Sequence, residues 1–139
     1  MDERDRALRN RIYAFLVEHG RAPSFEEAGA DDDALRRLHD AHALVLESDG
    51  RAIRMLSPFS AVPTPFRVRA AGRNWFANCV WDAFGIPAAL RVDGHVSAEC
   101  ADCGEPVEVD LTQGRPEPRD VVAHFLVPAR HWWDDIVFT

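Results

Sequence analysis

No stretch of this 139-residue chain approaches the roughly 20 consecutive apolar residues that a membrane-spanning helix needs. No membrane association is therefore expected. Positive charge is also in short supply, with 16 basic against 23 acidic residues and a net charge of -7. That balance argues against the broad basic surface on which generic nucleic-acid binding depends, and any DNA contact would have to be local. The N-terminus, from Met1 through Asp2, Glu3, Arg4 and Asp5, is charged where a secretory leader would turn apolar, so a cytoplasmic location is expected. Cysteine is scarce and odd in number: Cys79, Cys100 and Cys103. Three clustered cysteines make a poor disulfide framework, and in a reducing compartment they should be thiols, serving either a metal or thiolate site or simply as small core residues. No internal repeat or low-complexity tract is present. What remains is a chain with 47% hydrophobic content, enough for one compact unit with two lobes.

The first lobe is expected over residues 1–57. Leu8, Ile12, Phe15 and Leu16 recur at helical spacing between Asp5 and His19, and Gly20 follows where a helix C-terminus tolerates positive φ. Ser24 with Glu27 three residues on has the form of a capping box for a short helix ending near Gly29. Asp31, Asp32 and Asp33 suit the positive end of a third helix carrying Leu35, Leu38 and His39 or His42. Leu44–Glu47 and Arg51–Leu56, joined through Asp49 and Gly50, read as a hairpin. The order helix, helix, helix, hairpin resembles the winged-helix proteins, which read DNA with their third helix. Here Arg36 and Arg37 on that helix are outnumbered by Asp31, Asp32, Asp33 and Asp40, which favours packing or partner contact over DNA.

Residues 58–65, rich in proline, read as a connector. Residues 66–139 are expected to form an α+β lobe in which one helix packs on a mostly antiparallel sheet. A strand is expected over 66–70, then a helix capped by Asn74, running to about Phe84 and stopped by Gly85 and Pro87. Further strands are expected over 89–93, 95–99, 106–111, 121–127 and 135–138.

On that helix Trp75, Cys79 and Asp82 stand at i, i+4 and i+7, so a thiol and a carboxyl share one stripe beside an aromatic wall. A carboxylate raises a neighbouring thiol's pKa, which excludes an ordinary cysteine-protease role. The pair makes sense where the thiolate binds a cation and the acid delivers a proton; the competing reading is a core cysteine beside a solvated aspartate. Cys100 and Cys103, followed by Gly104, have the form of one zinc-knuckle arm. A structural zinc there would need two more ligands from Cys79, His95, His124 or His131. Near the C-terminus His131, Trp132, Trp133, Asp134 and Asp135 place apolar walls beside carboxylates, as in a pocket lining or as a tryptophan pair in the core.

The run from Trp75 through Cys79, Asp82 and Pro87 to Leu90, followed by Val96, Ser97, Cys100, Gly104, Pro106 and Val107, resembles the alkylmercury (organomercurial) lyases. The similarity is close over about 66–106 and weaker through Val127 and Pro128. In that family two cysteines grip the mercury of R–Hg–X, and an aspartate protonates carbon as the C–Hg bond breaks. The resemblance makes Cys79 the mercury-binding thiol, Asp82 the proton donor and Cys100 largely structural. The family's second mercury-binding cysteine comes from a late strand, and the matching stretch around Trp132 to Asp135 has none, which leaves Cys103 as the extra thiol.

The expectation is therefore C–Hg cleavage, with Cys79 and Cys103 holding mercury and Asp82 protonating carbon. Trp75, Trp132, Trp133 and Asp134 are the pocket candidates. No cofactor is required and Hg(II) is the bound product; a structural zinc at Cys100 and Cys103 is the alternative. Substrates would be small organomercurials or other soft electrophiles, with thiols as acceptors. A different class of reading is a non-catalytic, thiol-based metal or metalloid binder or sensor, linked to DNA through the first lobe.

Overall fold

A computed structural model describes residues 1–118 and 120–137. Helix α1 spans Glu3–His19; the Asp2 side chain accepts from the Asp5 N–H at one end, and Gly20, at φ +73°, closes the other. Leu8, Ile12 and Leu16 form its buried stripe. The capping box at Ser24 and Glu27 starts α2 (Phe25–Ala28), and the Asp31 side chain caps α3 (Asp32–Asp40), which sinks Leu35 and Leu38 fully into the core. His42 lies beyond α3 in a left-handed turn. Strands β1 (Val45–Leu46) and β2 (Ile53–Leu56) then pair as the expected hairpin, with Asp49 accepting from the N–H groups of Arg51 and Ala52.

The chain continues as β3 (Phe59–Ser60), β4 (Arg67–Ala70), β5 (Arg73–Ala77), α4 (Val80–Leu90), β6 (Gly94–Glu99), β7 (Pro106–Thr112) and β8 (Arg115–Glu117), with a 3-10 helix over Ala129–Asp134. All eight strands join one sheet in the order β1-β2-β3-β5-β4-β6-β7-β8, each neighbouring pair antiparallel. The proline-bearing stretch contributes β3, which bonds β2 on one side and β5 on the other. The fold is α+β, with three helices and a hairpin leading into a sheet covered by one helix. Among the described residues no helix is long and apolar enough to cross a membrane.

Several elements differ from the pattern expected. Residues 73–77 are a strand and not the start of a helix. Ala71 and Gly72, both at positive φ, make the tight turn that folds β5 back on β4 and pairs Val68 with Trp75. With β6 on its other side, β4 is then paired on both edges. Helix α4 starts five residues later than expected and runs past Gly85 and Pro87 to Leu90, where Arg91 ends it in the left-handed conformation. Gly85 is explained by packing: a Cβ there would lie 3.1 Å from that of Pro58. Residues 89–93 accordingly hold a helix end and a turn instead of a strand. Residues 121–127 form no strand; 126 and 127 are a bend, and Val122 and Leu126 are exposed. Asp135 to Val137 form a bend and turn, and Phe138 lies outside the described residues.

Alternation along the strands then builds the core. Val68, Ala70, Trp75, Ala77, Val96, Val109 and Leu111 face inward, and α4 lays Ala83, Ile86 and Pro87 over β4 and β5. This packing fixes the N-terminus of α4 at one end of the sheet.

Candidate thiol and acid site

Cys79 is the residue that precedes α4, with an extended backbone (φ -151°, ψ -179°), and Asp82 is the third residue of the helix. The two side chains still share a turn, but through the geometry of a helix start and not through a continuous helical stripe. Trp75 does not join them. It is 5% exposed in the core, donates from Nε1 to the Ala70 carbonyl at 3.0 Å and meets the edge of Phe59 at 5.1 Å between ring centroids. Strand alternation in β5 turns Trp75 into the core.

Cys79 is half-buried. Burial is the main cause that pushes its thiol pKa up; the Asp82 N–H pulls it back, the Asp82 charge raises it further, and the Trp81 N–H lowers it slightly. The sulfur makes no capping hydrogen bond of ordinary length, so the helix N-terminus favours the thiolate only through these weaker sulfur contacts. Asp82 is also half-buried, and burial raises its pKa above the usual carboxylate range, against the opposing effect of a hydrogen bond from Asn78. That bond runs from Asn78 Nδ2 to Asp82 Oδ2 at 2.7 Å. The same amide donates to the Phe59 carbonyl at 3.3 Å, while its Oδ1 is buried with no partner among the described residues. Because the amide donates, the Asn78 bond favours the ionised form of Asp82.

Sequence reasoning missed Asn78, because a helix beginning at Asn74 points it elsewhere. It also missed Tyr13. From α1 this side chain donates to the Ser57 carbonyl at 2.9 Å beneath the Arg9 guanidinium, 4.6 Å from the ring centre. Burial raises its pKa, Arg9 lowers it, and the charge of Asp82 raises it further, so Tyr13 lies within electrostatic reach of the acid. No sequence signal ties residue 13 to residue 82. A cavity of about 660 Å³ opens nearby between α1 and α4, lined by Arg9, Tyr13, Val17, Pro58, Phe59 and Leu90 among others; neither Cys79 nor Asp82 lines it.

Cys100 and Cys103 occupy the β6–β7 turn. The Cys103 and Asp102 N–H groups and the Cys103 thiol all direct hydrogen bonds at the Cys100 sulfur, in that order of effect, and lower its pKa. Register places this turn relative to Cys79. Phe76, Arg67 and Ser97 are level across β5, β4 and β6, and Cys79 and Cys100 each follow three residues later at the same end of the sheet. With β4 between them and ~4.8 Å per strand step, roughly 10 Å separates the two strand lines. Cys103 lies on the same turn as Cys100, beyond the end of β6. Among the described residues no group of three or more His, Cys, Asp or Glu side chains gathers as a metal-binding cluster. Of the other zinc candidates, His95 lies between Asp110 and Glu108, 2.7 Å from each, and His131 bonds Asp134 at 2.9 Å; His124 is exposed.

The C-terminal candidates dock on the first lobe. Trp133 stacks on His42 at 3.8 Å with planes 5° apart, and with Asp134 it helps line a cavity of about 420 Å³ that includes His39 and His42. Trp132 lines none of this cavity and donates to the Val127 carbonyl at 2.8 Å.

The fold is α+β, and it places a half-buried thiol and a half-buried acid at one helix start. The model of the alkylmercury lyase family matches residues 59–139, and the chain belongs to that family. Its fold is similar to the crystal structure of the mercury-bound form of MerB2, with a TM-score of 0.65 and 23% identity over 84% of this chain. The chain spans 59% of the length of that protein. No curated protein matches the chain.

Proposed function

We propose that the protein cleaves carbon–mercury bonds, with Cys79 capturing mercury and Asp82 protonating carbon. The observation that carries this reading is a carboxyl whose pKa is raised by burial, one turn from a thiol at a helix start. An acid that holds its proton to higher pH than an ordinary carboxyl is a better donor at neutral pH. Cys79 displaces X⁻ from R–Hg–X, giving R–Hg–S and releasing HX. Asp82 then gives its proton to carbon, which keeps the C–Hg electron pair and leaves as R–H. The carboxylate so formed is a ligand for Hg(II), and thiols from solution displace it, since soft mercury prefers sulfur. Cys103 is replaced in this scheme by an external thiol, because it lies on the same turn as Cys100.

The test is incubation with an arylmercury salt and excess monothiol, with hydrocarbon measured by gas chromatography. Release that depends on Cys79 is expected; no release, or release unchanged in Cys79→Ser, ends the proposal. The DNA-linked sensor reading is less well supported by the first lobe. Arg37 is paired with Asp5, and Arg51 with Asp32, so part of its cationic surface is already neutralised.

A further inference from the structure

The turn between β6 and β7 is more tightly built than a connecting loop requires. The Cys100 N–H donates to the Glu105 carbonyl at 2.8 Å, and the Gly104 N–H returns to the Cys100 carbonyl at 2.9 Å. Gly104 closes the turn at φ +73°, a conformation that a side chain would strain. The outcome is that the i and i+3 cysteines share one closed turn, one half-buried and one exposed. We propose that Cys100 and Cys103 form a second soft-metal site, a dithiol that clamps one thiophilic ion such as Hg(II) at the hairpin tip.

Three features support the assignment. The two backbone hydrogen bonds that close the turn, Cys100 N–H to the Glu105 carbonyl and Gly104 N–H to the Cys100 carbonyl, hold both cysteines on one rigid tip. The second sulfur is held beside the first, so the second metal–sulfur bond is intramolecular and favoured over a free monothiol by an effective concentration on the order of millimolar or more. The donor set is also selective. With no third metal-binding side chain gathered there among the described residues, the site offers two sulfurs. That suits a soft ion content with two thiolates and leaves zinc two ligands short of its tetrahedron. Loading is a ligand exchange: Hg(SR)₂ gives its ion to the two cysteines, whose protons leave on two molecules of RSH. No oxidant or reductant takes part. The site stands apart from Cys79, two strand positions away, and is independent of C–Hg cleavage there.

The experiment is therefore run on full-length Cys79→Ser. The chain is loaded with HgCl₂, dialysed against millimolar monothiol and weighed by native mass spectrometry, with ZnCl₂ in parallel. One mercury per chain should be retained and zinc lost, and adding Cys103→Ser should lower mercury retention at least about tenfold. Thermal melting by circular dichroism checks that Cys103→Ser, a change at an exposed position, leaves the fold intact. A second readout needs no further substitution: bound mercury should protect Cys100 and Cys103 together from iodoacetamide. Loss of mercury from Cys79→Ser, equal retention after Cys103→Ser, retained zinc, or unprotected cysteines would each overturn the proposal.

Discussion

The turn at Cys79 and the turn at Cys100 to Cys103 present sulfur in opposite ways. Both leave the same end of one sheet, from strands that flank β4. Cys79 is half-buried against the start of α4, and burial together with the neighbouring acid pushes its thiol pKa up. Cys100 lies at a hairpin tip where three hydrogen bonds favour the thiolate. The difference teaches that local donors decide a thiol's state only when burial does not outweigh them: both sulfurs face backbone N–H groups, and only the less covered one is shifted down. A half-buried thiol beside an acid suits proton-coupled chemistry, and two thiols on one turn suit holding an ion.

The sharpest break in this comparison is expected from Asp82→Asn. Removing a general acid costs about 10²–10⁴ in rate, so hydrocarbon release should fall by that factor while mercury capture persists. The same variant should be the more stable at neutral pH. Asp82 has a folded pKa above its unfolded one, so its contribution to stability is full below the unfolded value and is lost as pH rises through the folded value. The gain in melting temperature should therefore appear near neutral pH and vanish in acid; a gain largest in acid would contradict the burial argument.

A smaller contrast separates the thiols directly. Iodoacetamide at neutral pH should alkylate Cys100 at least about tenfold faster than Cys79, followed by peptide mass spectrometry. Equal rates would remove the distinction between the turns. The finest adjustment is Asn78→Ala. Without the hydrogen bond to the ionised carboxylate, the Asp82 pKa rises further. Protonolysis from chain preloaded with organomercurial should then lose rate at a higher pH than in the parent, and an unshifted or downshifted limb would show that Asn78 does not act on this acid.

Much of the first half was legible in the sequence because its signals are local. Asp2, Ser24, Glu27 and Asp31 sit where helix starts need acceptors, and Gly20 and Gly29 where helix ends need positive φ. Across 73–93 the same rules misled. Asn74 resembles a cap, Gly85 and Pro87 resemble a stop, and Trp75 falls into helical step with Cys79, yet pairing with β4 claims the first five residues for the sheet. Residues 121–127 show the converse, since an apolar, β-branched run read as a strand and none forms there.

The sequence by itself determined that the chain is α+β, that Cys79 and Asp82 lie within one turn, and that Cys100 and Cys103 share another. The fold class follows from the order of helical and strand-like stretches, and the two pairings follow from closeness along the backbone. Tertiary structure alone decided the state of those groups. It buried Asp82, brought Asn78 and Tyr13 to it, turned Trp75 into the core and set β4 between Cys79 and Cys100. Protonation depends on what surrounds a group in space, and that surrounding is assembled from residues as far apart in the chain as Tyr13 and Asp82.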